Sequence, residues 1–348
     1  MPALDLCVSR SLTSSGELRV RLGVGLLDNY LEFVAARCRP NTVLAVAFDL
    51  KVFFAVVDKL PAAVTSSDVL AFISSQRAGG DGRSIRAVDE ESALSSRTVA
   101  RRLSTVSGLF SYLLARGDVS ANPVPRGLPT RREQHRPRQT VPLIRRRRTL
   151  PTILSPVEVD RLLAALRTDR DTAMVTAMLL GGLRRCEVLG LRFRDVDVAA
   201  RRVFIADGKG GRQRHVNVSR RFFAALADYL DRERPETDTD RVFVVLKGPR
   251  RGQPLSAYGL DEVISCARRR GGLSHGTCHE LRHTCLTRLR EAGMALEAVQ
   301  AQAGHVSIET TRIYLHLSDS WLADEYRRAA EAIDAQMIVD HPTMRISR

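Results

Sequence analysis

The chain has 348 residues, room for about two domains at roughly 150 residues each, and it carries 54 Lys plus Arg against 39 Asp plus Glu, a formal net charge of +15. With 44% hydrophobic residues it is neither a disulfide-stapled module nor a disordered basic tail, and a polyanion, most commonly nucleic acid, is the expected partner over a ribosomal or membrane-surface role. Aromatic residues make up only 5%, too few for a row of base-stacking platforms, so a grip on duplex phosphates is expected rather than single-strand binding.

From about Val20 to Arg116 the apolar residues recur at helical spacing, as in Leu26, Leu27, Tyr30, Leu31 and Val34, then Val46, Leu50, Phe53, Phe54 and Val57. The pattern predicts four helices. Thr65-Ser66-Ser67-Asp68 has capping-box form and opens the third. The fourth starts at Ser96 or Arg97, presents Val99, Leu103, Val106, Leu109, Phe110 and Leu113 on one stripe, and stops at Gly117. Between them, Ala78 to Glu91 has glycines, mixed charge and no period, which predicts an exposed loop.

From 119 to 150 prolines alternate with arginines and end in the run Arg145, Arg146, Arg147, Arg148. Prolines block helix there, while the arginines repel one another unless a phosphate backbone neutralises them, so this segment is expected to be a basic linker that binds DNA. A second domain, 151–338, opens on Ser155-Pro156-Val157-Glu158, a capping box with proline in the first turn. A buried helix over Asp171 to Leu180 stops at Gly181-Gly182, and another begins near Arg184. The period then shortens. Residues 202–205 and 215–218 read as strands around the glycine-rich turn 207–211, and the remainder returns to helix over about 221–233, 257–270, 279–292, 296–301, 307–317 and 319–336. The fold class expected is mainly α, with a helical N-terminal domain over 20–118 and an α-rich second domain holding a small antiparallel sheet.

The six cysteines lie in apolar or helical contexts without a C-x-x-C pair, which reads as reduced thiols. The N-terminus has no signal-peptide pattern, and the longest uncharged apolar stretch, Thr172 to Leu183, is well short of the ~20 residues of a membrane span. A soluble cytoplasmic protein without a membrane partner is expected.

Four segments of the second domain carry polar groups that helix formation does not demand: Gly182 to Leu191, Gly208-Lys209-Gly210, His279-Glu280-Leu281-Arg282-His283, and Ala303-Gly304-His305 followed by Thr310-Thr311-Arg312-Ile313-Tyr314. In these motifs the chain resembles the tyrosine recombinases, the phage integrases and Xer-type resolvases. The likeness covers the whole length in architecture and about Ser155 to Ala335 in motif, with Arg184, Lys209, His279, Arg282, His305 and Tyr314 in family order. It implies a SAM-like, core-binding N-terminal domain and a catalytic domain that together encircle duplex DNA.

The chemistry suits these residue types. Cutting and rejoining DNA without a cofactor needs a nucleophile that stores the phosphodiester as a covalent ester, a role the resemblance gives Tyr314. Arginine forks stay protonated and bind non-bridging oxygens bidentately, which fits Arg184 and Arg282 to a phosphorane. The resemblance assigns protonation of the departing 5′ oxygen to Lys209, proton exchange with the tyrosine to His279, and a phosphate hydrogen bond to His305. Glu187, three residues beyond Arg184, lies on the same helical face and can hold its guanidinium; His279 and Arg282 share a face likewise, leaving Leu281, Cys285 and Leu289 for the core. No metal and no cofactor is implied. A tetramer on two DNA sites, monomeric when free, with possible helper recombinase or accessory proteins, is implied, and the biological role is that of a mobile element or of dimer resolution.

Taken singly, each residue has a bland reading: Arg184 a solvated helix start, Lys209 a turn residue, Tyr314 a core aromatic, His305 a helix-end residue. Their joint occurrence in order overturns these. Arg185, His283, Arg312 and His316 are left as structural or backbone-binding. The string His279 to His283 also satisfies H-E-x-x-H, with His305 or Glu309 as a third ligand, but a zinc metallohydrolase leaves Arg184, Lys209, Tyr314 and the charge unexplained. A catalytically silent DNA-binding protein is the other alternative, against which an intact Tyr314 argues; type IB topoisomerases share the constellation. Ala303 replaces the leucine usual before Gly-His, an expected loosening beneath His305.

Overall fold

The computed structural model describes residues 5–14, 16–77, 94–125, 127, 143–144, 151–208, 212–305, 308–311, 326–327 and 330–331. The chain divides into two compact units, Met1–Arg148 and Thr149–Arg348. The expected loop at Ala78 to Glu91, the run Arg145 to Arg148, Lys209, Tyr314 and most of the expected last helix lie outside the described residues.

The first unit starts with an antiparallel hairpin, β1 (Ser9–Leu12) and β2 (Leu18–Arg21), with Arg10 opposite Val20. This was not foreseen. Helical spacing was read from Val20, but Leu18 to Leu22 alternates apolar with arginine, and Val20 and Leu22 are buried. Four helices follow: α1 (Gly25–Ala35), α2 (Pro40–Val57), α3 (Ser66–Arg77) and α4 (Ser96–Arg116). Asp68 accepts the Thr65 amide at 2.9 Å before α3, Ser95 accepts the Thr98 amide at 3.2 Å before α4, and Gly117 ends α4 at φ 82°. Phe53 fills the centre, edge-on to Phe54 and Phe72 with ring centroids 5.1 Å apart.

By length and composition α2 is apolar enough to cross a membrane. Its packing says otherwise: Asp49 is buried between helices, accepting from Thr105 at 3.0 Å and from Arg101, a pairing that belongs to a protein core. The segment read as a linker is anchored at both described ends. Asn122 Nδ2 donates to the Ser107 carbonyl at 3.0 Å, and Ile144 is buried in the first unit's core. Proline blocks helix there without preventing burial of an apolar side chain.

In the second unit α5 (Pro156–Ala164) has its capping box closed, Ser155 accepting the Glu158 amide at 3.3 Å and Glu158 accepting the Ser155 amide at 2.8 Å. The central helix α6 (Asp169–Gly181) is buried on most of its surface and packs against α8 (Arg220–Arg232) and α10 (Cys278–Glu291). It stops at Gly182 in a left-handed conformation (φ 67°), where a Cβ would stand 3.2 Å from Leu286. Short α7 (Arg185–Gly190) turns the chain into an antiparallel sheet in the order β3 (Val196–Asp197), β4 (Arg202–Ile205), β5 (Arg214–Asn217). Val203 pairs with Val216, both fully buried. The strand β3 was too short to read from sequence, and β5 begins one residue earlier than expected, which brings Arg214 into the sheet. Helices α9 (Ala257–Arg270), α11 (Leu296–Ala303) and α12 (Ile308–Thr311) complete the described part.

Candidate active site

The turn at Gly182 places Arg184 just ahead of α7, in extended conformation. Its backbone N–H donates to Glu187 Oε2 at 2.9 Å, its Nη1 to Glu187 Oε1 at 2.8 Å, and its Nη2 to the Gly304 carbonyl at 3.3 Å. Glu187, fully enclosed, is shared. From β5, Arg214 donates Nη1 to Oε1 at 2.8 Å and Nη2 to Oε2 at 2.9 Å, a bidentate fork. Burial pushes the Glu187 carboxyl up, but the hydrogen bonds and charge of Arg214, with those of Arg184, outweigh it and hold the pKa at about 2. One carboxylate therefore bridges two guanidiniums.

On α10, Thr277 caps the helix by accepting the Glu280 amide at 3.3 Å, and Glu280 folds back to accept the Gly276 and Thr277 amides at 2.8 Å. That order in the first turn fixes the direction of Arg282, which is buried. Its guanidinium donates Nη1 to the Gly182 carbonyl and Nη2 to the Ala303 carbonyl at 2.6 Å, with Nη2 3.3 Å from His305 Nε2. So Arg184, Arg282 and His305 meet at the end of α11, where Ala303 and Gly304 carbonyls receive both arginines. Ala303 is fully buried and clusters with Leu286 and Val299.

An arginine only donates, so His305 Nε2 accepts and Nδ1 carries the hydrogen, which goes to Thr311 Oγ1 at 3.0 Å. Burial, then the charges of Arg282 and Arg184, push the His305 pKa down to about 3. His279 has a different neighbour: its Nε2 lies 2.8 Å from that of His283, one nitrogen carrying the hydrogen between them. Burial and the His279 charge lower His283 to about 4, and His283 in turn acts on His305. Leu281 and Cys285 are buried and Leu289 partly so, leaving the face with Arg282 to the site.

Sequence reading missed Arg214 and Thr311, and it left His283, which lies 2.8 Å from His279, as structural or backbone-binding. Arg214 follows a turn rich in basic residues and had no spacing to mark it, while Thr311 acts only because α12 comes back against His305. The gathered groups can bind and stabilise an anion with two kinds of side-chain nitrogen, guanidinium and imidazole, and His283 and His305 are held neutral.

The phage integrase family profile matches residues 152–320, and that of the N-terminal SAM-like domain of phage integrases matches 27–117. The tyrosine recombinase XerC of Roseiflexus castenholzii is 32% identical over 267 residues, covering 73% of this chain and 75% of that protein. The chain belongs to the tyrosine recombinase family. Its likeness to the tyrosine recombinase XerD of Listeria monocytogenes extends over 87% of this recombinase and 97% of that one, at 27% identity. Among solved structures, the Tn1549 transposon integrase with transposon right end DNA aligns at TM-score 0.64 and 17% identity over 88% of this chain and 100% of that one. A lambda integrase dimer bound to a COC′ core site aligns at 0.61 and 17% over 83% and 93%. These show the shared fold. The enzyme is thus a site-specific recombinase, and its relatives favour neither the silent-binder nor the metallohydrolase reading. Against the latter stands Glu280 too, since the base a zincin needs is spent here as a helix cap.

The two depressed histidines set an acid limit on this recombinase. Above pH 6.5 folded and unfolded chains both hold neutral imidazole; as pH falls towards 4, the unfolded chain takes up protons that the fold refuses, so stability declines. Glu187 adds to the loss only from about pH 4.5 downward, towards 2. Denaturant midpoints between pH 7 and 4 are expected to fall, and to fall less steeply in His283→Gln/His305→Gln. Equal slopes would remove these histidines from the acid response.

Proposed function

We propose that this enzyme cuts and rejoins duplex DNA at specific sites through a 3′-phosphotyrosyl intermediate. The observation that carries the reading is the meeting of Arg184, Arg282 and His305, from three separate elements, at the Ala303–Gly304 carbonyls. A phosphate entering there reverses the local balance: its negative charge compensates the two guanidiniums and favours a protonated His305, which then donates to a non-bridging oxygen. The Tyr314 oxygen attacks phosphorus and its proton passes to His279, with His283 hydrogen-bonded behind it. As the phosphorus–5′-oxygen bond breaks, Lys209 gives its proton to the leaving oxygen. Rejoining runs the same steps backward with the 5′-hydroxyl of another strand, and because one phosphoester replaces another no ATP is required.

The first unit and the second grip duplex DNA together, with residues 20–118 as the binding domain, 151–338 as the catalytic domain and Arg145 to Arg148 on the backbone between. Two sites are joined in a tetramer of protomers that are monomeric when free. A mobile element or dimer resolution supplies the sites, with accessory proteins as needed, in the cytoplasm where the DNA is.

A pool of nicked duplexes with randomised centres tests the reading. Incubated with the enzyme in excess chelator, it yields an SDS-stable protein–DNA adduct whose recovered sequences converge on one site. No adduct, or an adduct only with added divalent metal, would sink the proposal.

A further inference from the structure

Arg214 lies on the sheet, outside the residues that the reaction uses directly, yet all three of its guanidinium nitrogens are engaged. It takes both oxygens of the enclosed Glu187 in a fork, and its Nε donates to the Gln302 carbonyl at 3.2 Å. It lies flat against the peptide before His305: a Cβ at Gly304 would stand 2.8 Å from its Nε and 2.9 Å from its Cδ, and Gly304 itself is left-handed at φ 61°. Gln302, beside it, is tied to the same strand, donating to the Asn217 carbonyl at 2.7 Å and to Gly181 at 3.0 Å.

Charge balance gives this arrangement a purpose. Arg184 facing Glu187 alone is a neutral pair, which attracts a phosphate weakly. With Arg214 sharing the carboxylate, two positive charges stand against one negative, and a net cation remains at Arg184. The carboxylate also accepts four hydrogen bonds, two from each arginine, so neither oxygen is left to swing Arg184 away.

We propose that Arg214 is a positioning residue for DNA cleavage: by occupying half of Glu187 it leaves Arg184 cationic and correctly aimed at the scissile phosphate. This rests on the functional reading above. Arg214 touches no reacting atom and acts through Glu187 and Arg184. It also couples β5, which lies five residues beyond Lys209 in sequence, to the segment bearing His305.

The test uses full-length protein and the duplex recovered from the randomised pool, with adduct formation followed in single turnover. Arg214→Met is expected to slow cleavage about a hundredfold, the cost of a misaimed catalytic group, while duplex affinity stays near wild type. Arg214→Lys, which keeps the charge and loses the fork, falls between the two and serves if the Met variant does not fold. The decisive variant is Glu187→Gln/Arg214→Met. Removing the carboxylate as well restores a net cation at Arg184, so the double variant cleaves faster than Arg214→Met alone. A neutral methylphosphonate at the scissile position shrinks the deficit of the Met or Lys variant, because it needs less cationic stabilisation. A merely structural arginine gives the opposite pattern, with a double variant as slow as or slower than the single and an undiminished deficit on methylphosphonate; either result overturns the proposal. Wild-type protein without any adduct overturns the functional reading, and this proposal with it.

Discussion

Tyr314→Phe is expected to abolish covalent capture of DNA, lowering adduct formation by about 10⁴-fold or more, with single-site DNA binding retained. The substitution removes one oxygen and keeps the aromatic ring. A phenol near pKa 10 is a poor nucleophile at neutral pH, so the step depends on a proton acceptor and on cations that stabilise the developing charge. In the proposed reaction the arginines gathered around the α11 terminus supply the cations, and His279 on α10, 2.8 Å from His283, supplies the acceptor. Water cannot substitute for the tyrosine in this assay, because hydrolysis leaves no protein on the DNA. The measurement is SDS-resistant retention of labelled duplex, with circular dichroism showing an unchanged fold. An adduct persisting in the Phe variant assigns the nucleophile elsewhere and removes Tyr314 from the mechanism.

Arg282→Met is expected to lower cleavage by about 10²–10³-fold, the usual cost of one donor to a developing oxyanion. Its effect differs from that of Tyr314→Phe in also destabilising the fold. Arg282 is buried and donates to the carbonyls of Gly182 and Ala303; thioether replaces guanidinium, and each orphaned carbonyl costs about 1–3 kcal/mol. Urea denaturation thus shows a loss of several kcal/mol, about the sum of two such groups. With the Arg282 charge gone, the largest of the charges holding His305 down, the His305 pKa moves up, a shift that proton NMR of the imidazole reads directly. Arg282→Lys keeps the charge but reaches only one carbonyl, so it is expected to rescue the His305 titration more than the stability. A Met variant as stable as wild type would show that the carbonyls find other partners, and unchanged cleavage would place the phosphate away from Arg282.

Much of the architecture was legible because local signals agreed with one another. Apolar stripes such as Val99 to Leu113, capping residues such as Ser155 and Thr65, and stops at Gly117 and Gly182 each fix a helix through contacts within a turn or two of sequence. The N-terminal hairpin was missed because its strands are four residues each and the arginine alternation is brief. The transmembrane quality of α2 runs the other way: an apolar count passes the helix as a bilayer span, and only the pairing of Asp49 with Arg101 and Thr105 shows a core helix.

By itself the sequence determined which residue types stand in which order: two arginines, paired histidines, a lysine in a turn and a tyrosine near the end of the motif region, with a Glu three residues after Arg184. That order suffices for the family and its chemistry, since the reaction dictates the donors it needs. Only the tertiary structure decided who shares whom. Arg214 and Glu187 are 27 residues apart, and Arg184 and Gly304 are 120 apart, so no local period can pair them. Their meeting depends on the close approach of α7, β5 and the α11 terminus. Likewise the neutral state of His305 comes from burial beside Arg282 and Arg184, and its hydrogen sits on Nδ1 because Thr311 and Arg282 arrive from opposite ends of the ring. Desolvation and charge sharing are properties of assembled surfaces, and they exist only once the chain has brought distant residues together.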